Sequence, residues 1–231
     1  MDTPRSPHFS VSKWRESSLP LIMLIPMLIS PENAGDLKQV GEMLQSGNSS
    51  IFLVIIFAAA VILSSMNGIS STAISREGKN LYVIKYLPVS FKTQLMAKVL
   101  SAVVMGSLMT IIILIASAIL IKPSIYMLVA SGILCILGVL FTSFTGILLD
   151  LNFPKLNWDS EQKVVKQNIT VMISMLVCVC VGVLTAYMTI KINPSERNAF
   201  LSIFAIYLVI DFILYYVVST VGVKLIKKMK L

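Results

Sequence analysis

Charge is what this sequence has least of. Only 13% of its 231 residues are Asp, Glu, Lys or Arg, while 56% are apolar; an ordinary soluble domain carries roughly a quarter charged residues. Histidine occurs once, at His8, without an HExxH context, so neither a zinc-protease site nor a Ser/His/Asp set can be assembled around it. A Ser–Lys pair is disfavoured because every lysine lies outside the apolar runs. No GxxxxGK[ST] stretch is present, so the chain has no loop of its own to cradle nucleotide phosphates. The three cysteines, Cys135, Cys178 and Cys180, all fall inside apolar runs and read as small buried side chains rather than as a disulfide or metal framework. Residues 1–18 are polar, and the short run after them lacks a small-residue cleavage pattern, so no cleavable signal peptide is expected. These absences predict a chain that is not an enzyme and that holds neither metal nor cofactor.

What the chain has in abundance is long apolar runs. Five are clear: Ile51–Ile74, Val99–Ile121, Ile125–Leu149, Ile169–Ile190 and Ala199–Val223. Each meets or exceeds the roughly 20 residues a helix needs to cross about 30 Å of hydrocarbon. Helices are expected because lipid offers backbone groups no partners, and no strand-like alternation is visible. A sixth run, "LPLIMLIPMLIS" from Leu19 to Ser30, is short and interrupted by Pro20 and Pro26. The expected fold is an all-α, polytopic membrane helical bundle of about six spans, the first one short. Residues 1–18 form an N-terminal tail, 19–223 the membrane domain and 224–231 a basic tail.

The net charge of +8 does not point to nucleic acid, because the basic residues are distributed between the apolar runs. Counted by connection, fifteen Lys and Arg lie on the side of the 76–98 segment and four, Lys38, Lys122, Lys191 and Arg197, on the other. By the positive-inside rule this puts both ends of the chain in the cytoplasm, and the expected location is the cell membrane.

Within the basic stretch "SREGKNLYVIKYLPVSFKTQLMAK", Ser75–Lys98, Gly78 is expected to end the helix of the preceding run, as a C-cap would. Leu81, Tyr82, Val83, Ile84, Tyr86 and Leu87 then form a short apolar-aromatic segment around Lys85, Pro88 breaks it, and Ser90 is placed to cap the next helix. Such a segment suits the lipid headgroup layer and suits a soluble partner equally well.

The run Glu77-Gly78, Leu81, Leu87-Pro88-Val89-Ser90 and Lys98 resembles the loop after the second span of type-2 ABC exporter permeases. Together with "LLDLNFPKLNWDSEQKVVKQN" it is similar to the ABC exporter permeases of Gram-positive bacteria, over about Leu19 to the C-terminus. Those relatives are about twice as long, and the chain resembles their C-terminal half; residues 1–18 have no counterpart. The resemblance implies a coupling helix that docks on a separate ATPase subunit, with ATP bound by that partner, and a second permease subunit or a homodimer. The coupling loop it implies contains Arg76, Glu77, Gly78, Lys79, Leu81, Tyr82, Leu87, Pro88 and Ser90.

In the second basic connection Trp158 reads as an interfacial anchor, Asp159 as a helix cap with Gln162 in the third position, and Asp159 and Lys163 as an i, i+4 pair. A well-capped helix start accounts for most of this; a second ATPase contact through Lys155, Glu161 or Lys166 is the sharper reading. Small residues recur every four positions at Ala60, Ser64, Gly68 and Thr72, and at Gly138, Thr142 and Gly146, as close helix packing in lipid requires. Asp211 is the one ionisable residue near the centre of a run, with Tyr207 and Tyr215 one turn before and after it and Ser219 two turns on. The tyrosine hydroxyls are expected to donate to its carboxylate. Two rivals to the permease reading remain from the residues: a proton-coupled secondary carrier using Asp211, and a non-transporting membrane scaffold.

Overall fold

The computed structural model describes residues 49–156 and 168–229, and every regular element among them is helical. Local signals set the ends of the long helices. Helix α1 covers Ser49–Met66. A 3₁₀ turn, Ser75–Leu81, leads into the short α2, Tyr82–Tyr86. Pro88 stops that path, and Ser90 caps α3, Phe91–Leu120, by accepting from the Thr93 N–H at 3.2 Å. Lys122 in a left-handed conformation (φ 51°) and the following Pro123 end α3. Ser124 then caps α4, Ile125–Asn152, whose end is marked by Phe153-Pro154. Asn168 caps α5, Ile169–Ile192, through the Thr170 N–H at 3.0 Å. Left-handed Asn193 (φ 46°) closes α5. Helix α6, Glu196–Val217, runs on through a π-helical turn, Val218–Gly222, into α7, Val223–Lys228.

Helices α3, α4, α5 and the continuous α6–α7 rod are each long and apolar enough to cross a membrane, and the 18 residues of α1 cover about 27 Å. Their outward faces carry rows such as Leu100, Val104, Ile111 and Ile115, exposed on α3, or Met172, Leu176 and Val183 on α5. Water would not tolerate so continuous an apolar surface, and lipid does. Cys180 is on such an outer face, exposed, whereas Cys135 and Cys178 are buried as the sequence suggests.

Helix α1 is the centre of the bundle and touches α3, α4, α5 and α6. Leu53, Val54, Phe57 and Val61 are fully buried there. The close approach of α4 depends on Gly138, where a β-carbon would come within 2.8 Å of Val61 and 3.1 Å of Phe57. Four residues on, Thr142 shares a 3.1 Å hydrogen bond with Ser64. The Gly138/Thr142/Gly146 stripe is therefore used inside the chain, against α1 and the residues that follow it.

The first apolar run does not form one helix over Ile51–Ile74. Helix α1 stops at Met66, Asn67 and left-handed Gly68 (φ 43°) turn the chain, and residues 69–74 follow as turns. Gly68 and Thr72 thus lie beyond the helix that the Ala60/Ser64 stripe occupies, and Gly78 (φ 50°) sits inside the 3₁₀ turn rather than at a helix end. The physical reason is polarity: Ser70, Ser71, Thr72 and Ser75 follow Gly68, and such hydroxyls offer the backbone alternatives to helical pairing. Residues 71–75 are buried, so backbone groups freed there have to be satisfied by protein. The candidate run Leu19–Ser30 and the residues Trp158, Asp159, Glu161, Gln162, Lys163 and Lys166 lie outside the described residues.

Candidate functional site

The antiparallel succession of helices brings the end of α1, the start of α3, the end of α4, the start of α5 and α7 to one end of the bundle. This end carries Arg76, Lys92, Lys98, Lys155, Lys224, Lys227 and Lys228; the turns at the other end carry Lys122, Lys191 and Arg197.

The irregular segment after Gly68 is tied down here by side chains from three directions. One carboxylate oxygen of Asp150, in the last turn of α4, accepts from the backbone N–H of Ile74 at 2.6 Å and of Ser75 at 3.0 Å. Its other oxygen accepts from the Ser75 hydroxyl, and Ser75 Oγ accepts in turn from the backbone N–H of Lys155 at 3.0 Å. From α3, the Lys98 ammonium donates to the Ala73 carbonyl at 3.1 Å and pairs with the Glu77 carboxylate. The Arg76 guanidinium folds back on its own segment, donating to the Ile69 carbonyl at 2.9 Å. Gly146 of α4 lets the segment lie flat, since a β-carbon there would run into Ser70 Oγ and come within 3.0 Å of the Ser71 nitrogen.

On this base stands α2. Leu81 and Ile84 point inward, packed with Ile74, Leu95, Ile147 and Leu151. Tyr82, Tyr86, Leu87 and Val89 point outward, with Tyr86 82% exposed, and the two tyrosine rings meet edge to face with centroids 6.3 Å apart. Pro88 and Ser90 are also exposed. Gln94 holds the far end of this knob by donating to the carbonyls of Ile84 at 3.1 Å and Val89 at 2.8 Å. Lys79 lies in the 3₁₀ turn.

Two expectations change. The charge of Glu77 is engaged by Lys98, so the acidic residue and the lysine at the head of the next span form one internal contact. Leu81 belongs to the core rather than to the outward face. Asp150 was not singled out by sequence reasoning, although a signal existed: an acid in the last turn of a helix opposes the helix dipole and has to find donors elsewhere.

Asp211, on α6, is 7% exposed, and neither carboxylate oxygen has a hydrogen-bond partner among the described residues. The expected donations from Tyr207 and Tyr215 are not made. Tyr207 is held edge-on by Phe57, at 4.6 Å between centroids, and by Phe141, at 5.5 Å, and its hydroxyl is hydrogen-bonded to Thr185 Oγ1 on α5 at 3.0 Å. Tyr215 is 38% exposed and has the Lys92 ammonium 5.2 Å from its ring centroid. The Tyr207 hydroxyl is thus drawn to a neighbouring helix rather than along its own. Ser219, the last of the stripe, makes no bond to Asp211 either.

The helices and their apolar faces define a multi-pass, all-α membrane protein. No protein-family model matches the chain, no curated protein matches it, and no solved structure matches it.

Proposed function

We propose that the chain is the membrane-spanning permease subunit of an ABC-type exporter in the cell membrane, with both termini cytoplasmic. It borrows ATP hydrolysis from a separate ATPase subunit that docks on residues 76–98, and it works with a second permease subunit or a second copy of itself. One observation carries the reading: the outward face of α2 and the following turn, with Tyr82, Tyr86, Leu87 and Val89 exposed, stands on a segment braced against α3 and α4. Exposed aromatic side chains make strong interface anchors, and a braced base is what a surface that receives mechanical work requires. Alternating access then follows from the difference in affinity between the ATPase states for this surface.

A photocrosslinking residue in place of Tyr82 is expected to capture a soluble ATPase in the native membrane. Capture of lipid alone would return the segment to the headgroup layer. The orientation has its own check. With native thiols replaced, Ser195→Cys should react with an impermeant thiol reagent on intact cells and Thr93→Cys should not; labelling of Thr93→Cys from outside would place α2 on the wrong face for an ATPase.

A second reading draws on Asp211. A buried carboxylate without donors is a natural proton carrier, and a proton-coupled secondary carrier would use it. The two readings part on energy source: ATP in the first, the proton gradient in the second.

A further inference from the structure

We propose that Asp150 is a positioning residue that fastens the base of the 82–90 knob, at Ile74 and Ser75, to the end of α4, so that movement of the knob is passed to α4 as well as to α3. This rests on residues 76–98 being the ATPase-docking segment. Forward, the knob runs through Ser90 into α3, where Gln94 and the packing of Leu81 and Ile84 seat it; backward, two routes lead into the rest of the bundle. The backbone route leads back through residues 69–74 to α1, and it is interrupted at Asn67 and Gly68, where the helix has ended and a left-handed glycine turns the chain.

The side-chain route is shorter. Ser75 begins the 3₁₀ segment that leads, across a kink at Gly78 (φ 50°), to Leu81 and α2, and Asp150 grips it by the Ile74 and Ser75 N–H groups and by the Ser75 hydroxyl. Through Ser75 Oγ the grip extends to the Lys155 N–H, just past the end of α4. All of these groups are on fully buried side chains or on backbone, since Ile74, Ser75 and Asp150 are each 0% exposed. Charge-assisted bonds shielded from water are the stiffest polar links available to a protein. Lys98 makes a parallel but partly exposed link to α3 through Ala73 and Glu77. Residues 73–77 are therefore fastened to α4 by Asp150 and to α3 by Lys98, beside the packing of Leu81 and Ile84 that seats the knob.

The test uses the full chain in lipid nanodiscs, with native thiols replaced and spin labels attached at Tyr86→Cys on the knob and Ile136→Cys on the outer face of α4. With Asp150 present, the distance distribution is expected to be narrow. Asp150→Ala should broaden it, and Asp150→Asn, whose side-chain oxygen still accepts from both N–H groups, should keep it narrow. Should Asp150→Ala fail to fold, Ser75→Ala loosens the same link more gently and should broaden the distribution in part. In the assembled transporter, Asp150→Ala should leave crosslinking from position 82 to the ATPase intact while lowering ATP-driven transport at least tenfold. A distribution that stays narrow in both Asp150→Ala and Ser75→Ala, or transport unchanged in Asp150→Ala, overturns the proposal. Failure of the wild type to capture an ATPase removes the docking reading instead, and the distance measurement still decides whether Asp150 fastens the knob.

Discussion

Asp150 closes the last turn of α4 with three donors around it, whereas Asp211, on α6, has none among the described residues. Both are buried acids in the same bundle, and the difference lies in the backbone beside them. Where α1 stops at Met66, the residues that follow have N–H groups with no helical acceptor, and two of these, on Ile74 and Ser75, turn to Asp150. Regular helix offers nothing of the kind, because its interior N–H groups are already engaged. Asp211 is surrounded by regular helix and depends on side chains, and the Tyr207 hydroxyl one turn away is bonded to Thr185 instead. A carboxylate in a membrane bundle is thus structural where the backbone is broken next to it, and unassigned where the helices are whole.

Substitutions can break or sharpen this contrast. The largest effect is expected from Asp150→Ala, which leaves two buried N–H groups and a hydroxyl without their acceptor. Loss of about 3 kcal/mol is anticipated, measured by denaturant unfolding in mixed micelles. A loss below about 1 kcal/mol would show that the segment finds other acceptors and that the contrast with Asp211 is overstated.

Gly146→Ala comes next. Its β-carbon meets Ser70 Oγ and the Ser71 backbone, which cannot easily move while Asp150 holds the segment, so a cost of about 1–3 kcal/mol is expected. Gly182→Ala is the control, since the nearest neighbour there is Val61 Cγ1 at an ordinary 3.5 Å. Equal behaviour of the two variants would mean that the segment is not pressed against α4.

The smallest effect is expected from Asp211→Asn, which keeps the shape and removes the ability to ionise. Insertion should be normal and stability should change by less than about 1 kcal/mol, because no donor is lost. Transport should remain ATP-driven. Abolished transport, in a wild type that follows the proton gradient, would exchange the permease reading for the secondary carrier.

The bundle itself was legible from apolar run length, and so were most helix ends. Pro88 and Ser90 act through bonds and clashes within four residues, and such signals survive any tertiary context; Ser124 and Phe153-Pro154 act in the same way, though Ser124 was not singled out. The break of α1 was not legible. The Ile51–Ile74 run is apolar enough for one long helix, and only the polar cluster after Gly68 hinted otherwise. The outward and inward faces of α2 were mixed in the sequence, because a five-residue helix is too short to show a period; packing of Leu81 and Ile84 against α3 and α4 separates them.

Run length, capping residues and the distribution of lysines determined that this chain is a helical membrane bundle with a basic segment between two spans. Those properties depend on transfer to lipid and on neighbours in the chain, which a sequence contains in full. The fate of each buried polar group was decided only by the tertiary structure. Asp150 meets Ser75 across 75 residues, Lys98 meets Glu77 across 21, and Tyr207 leaves Asp211 for Thr185, because the partner of a buried charge is whichever donor the packing of other helices brings within 3 Å.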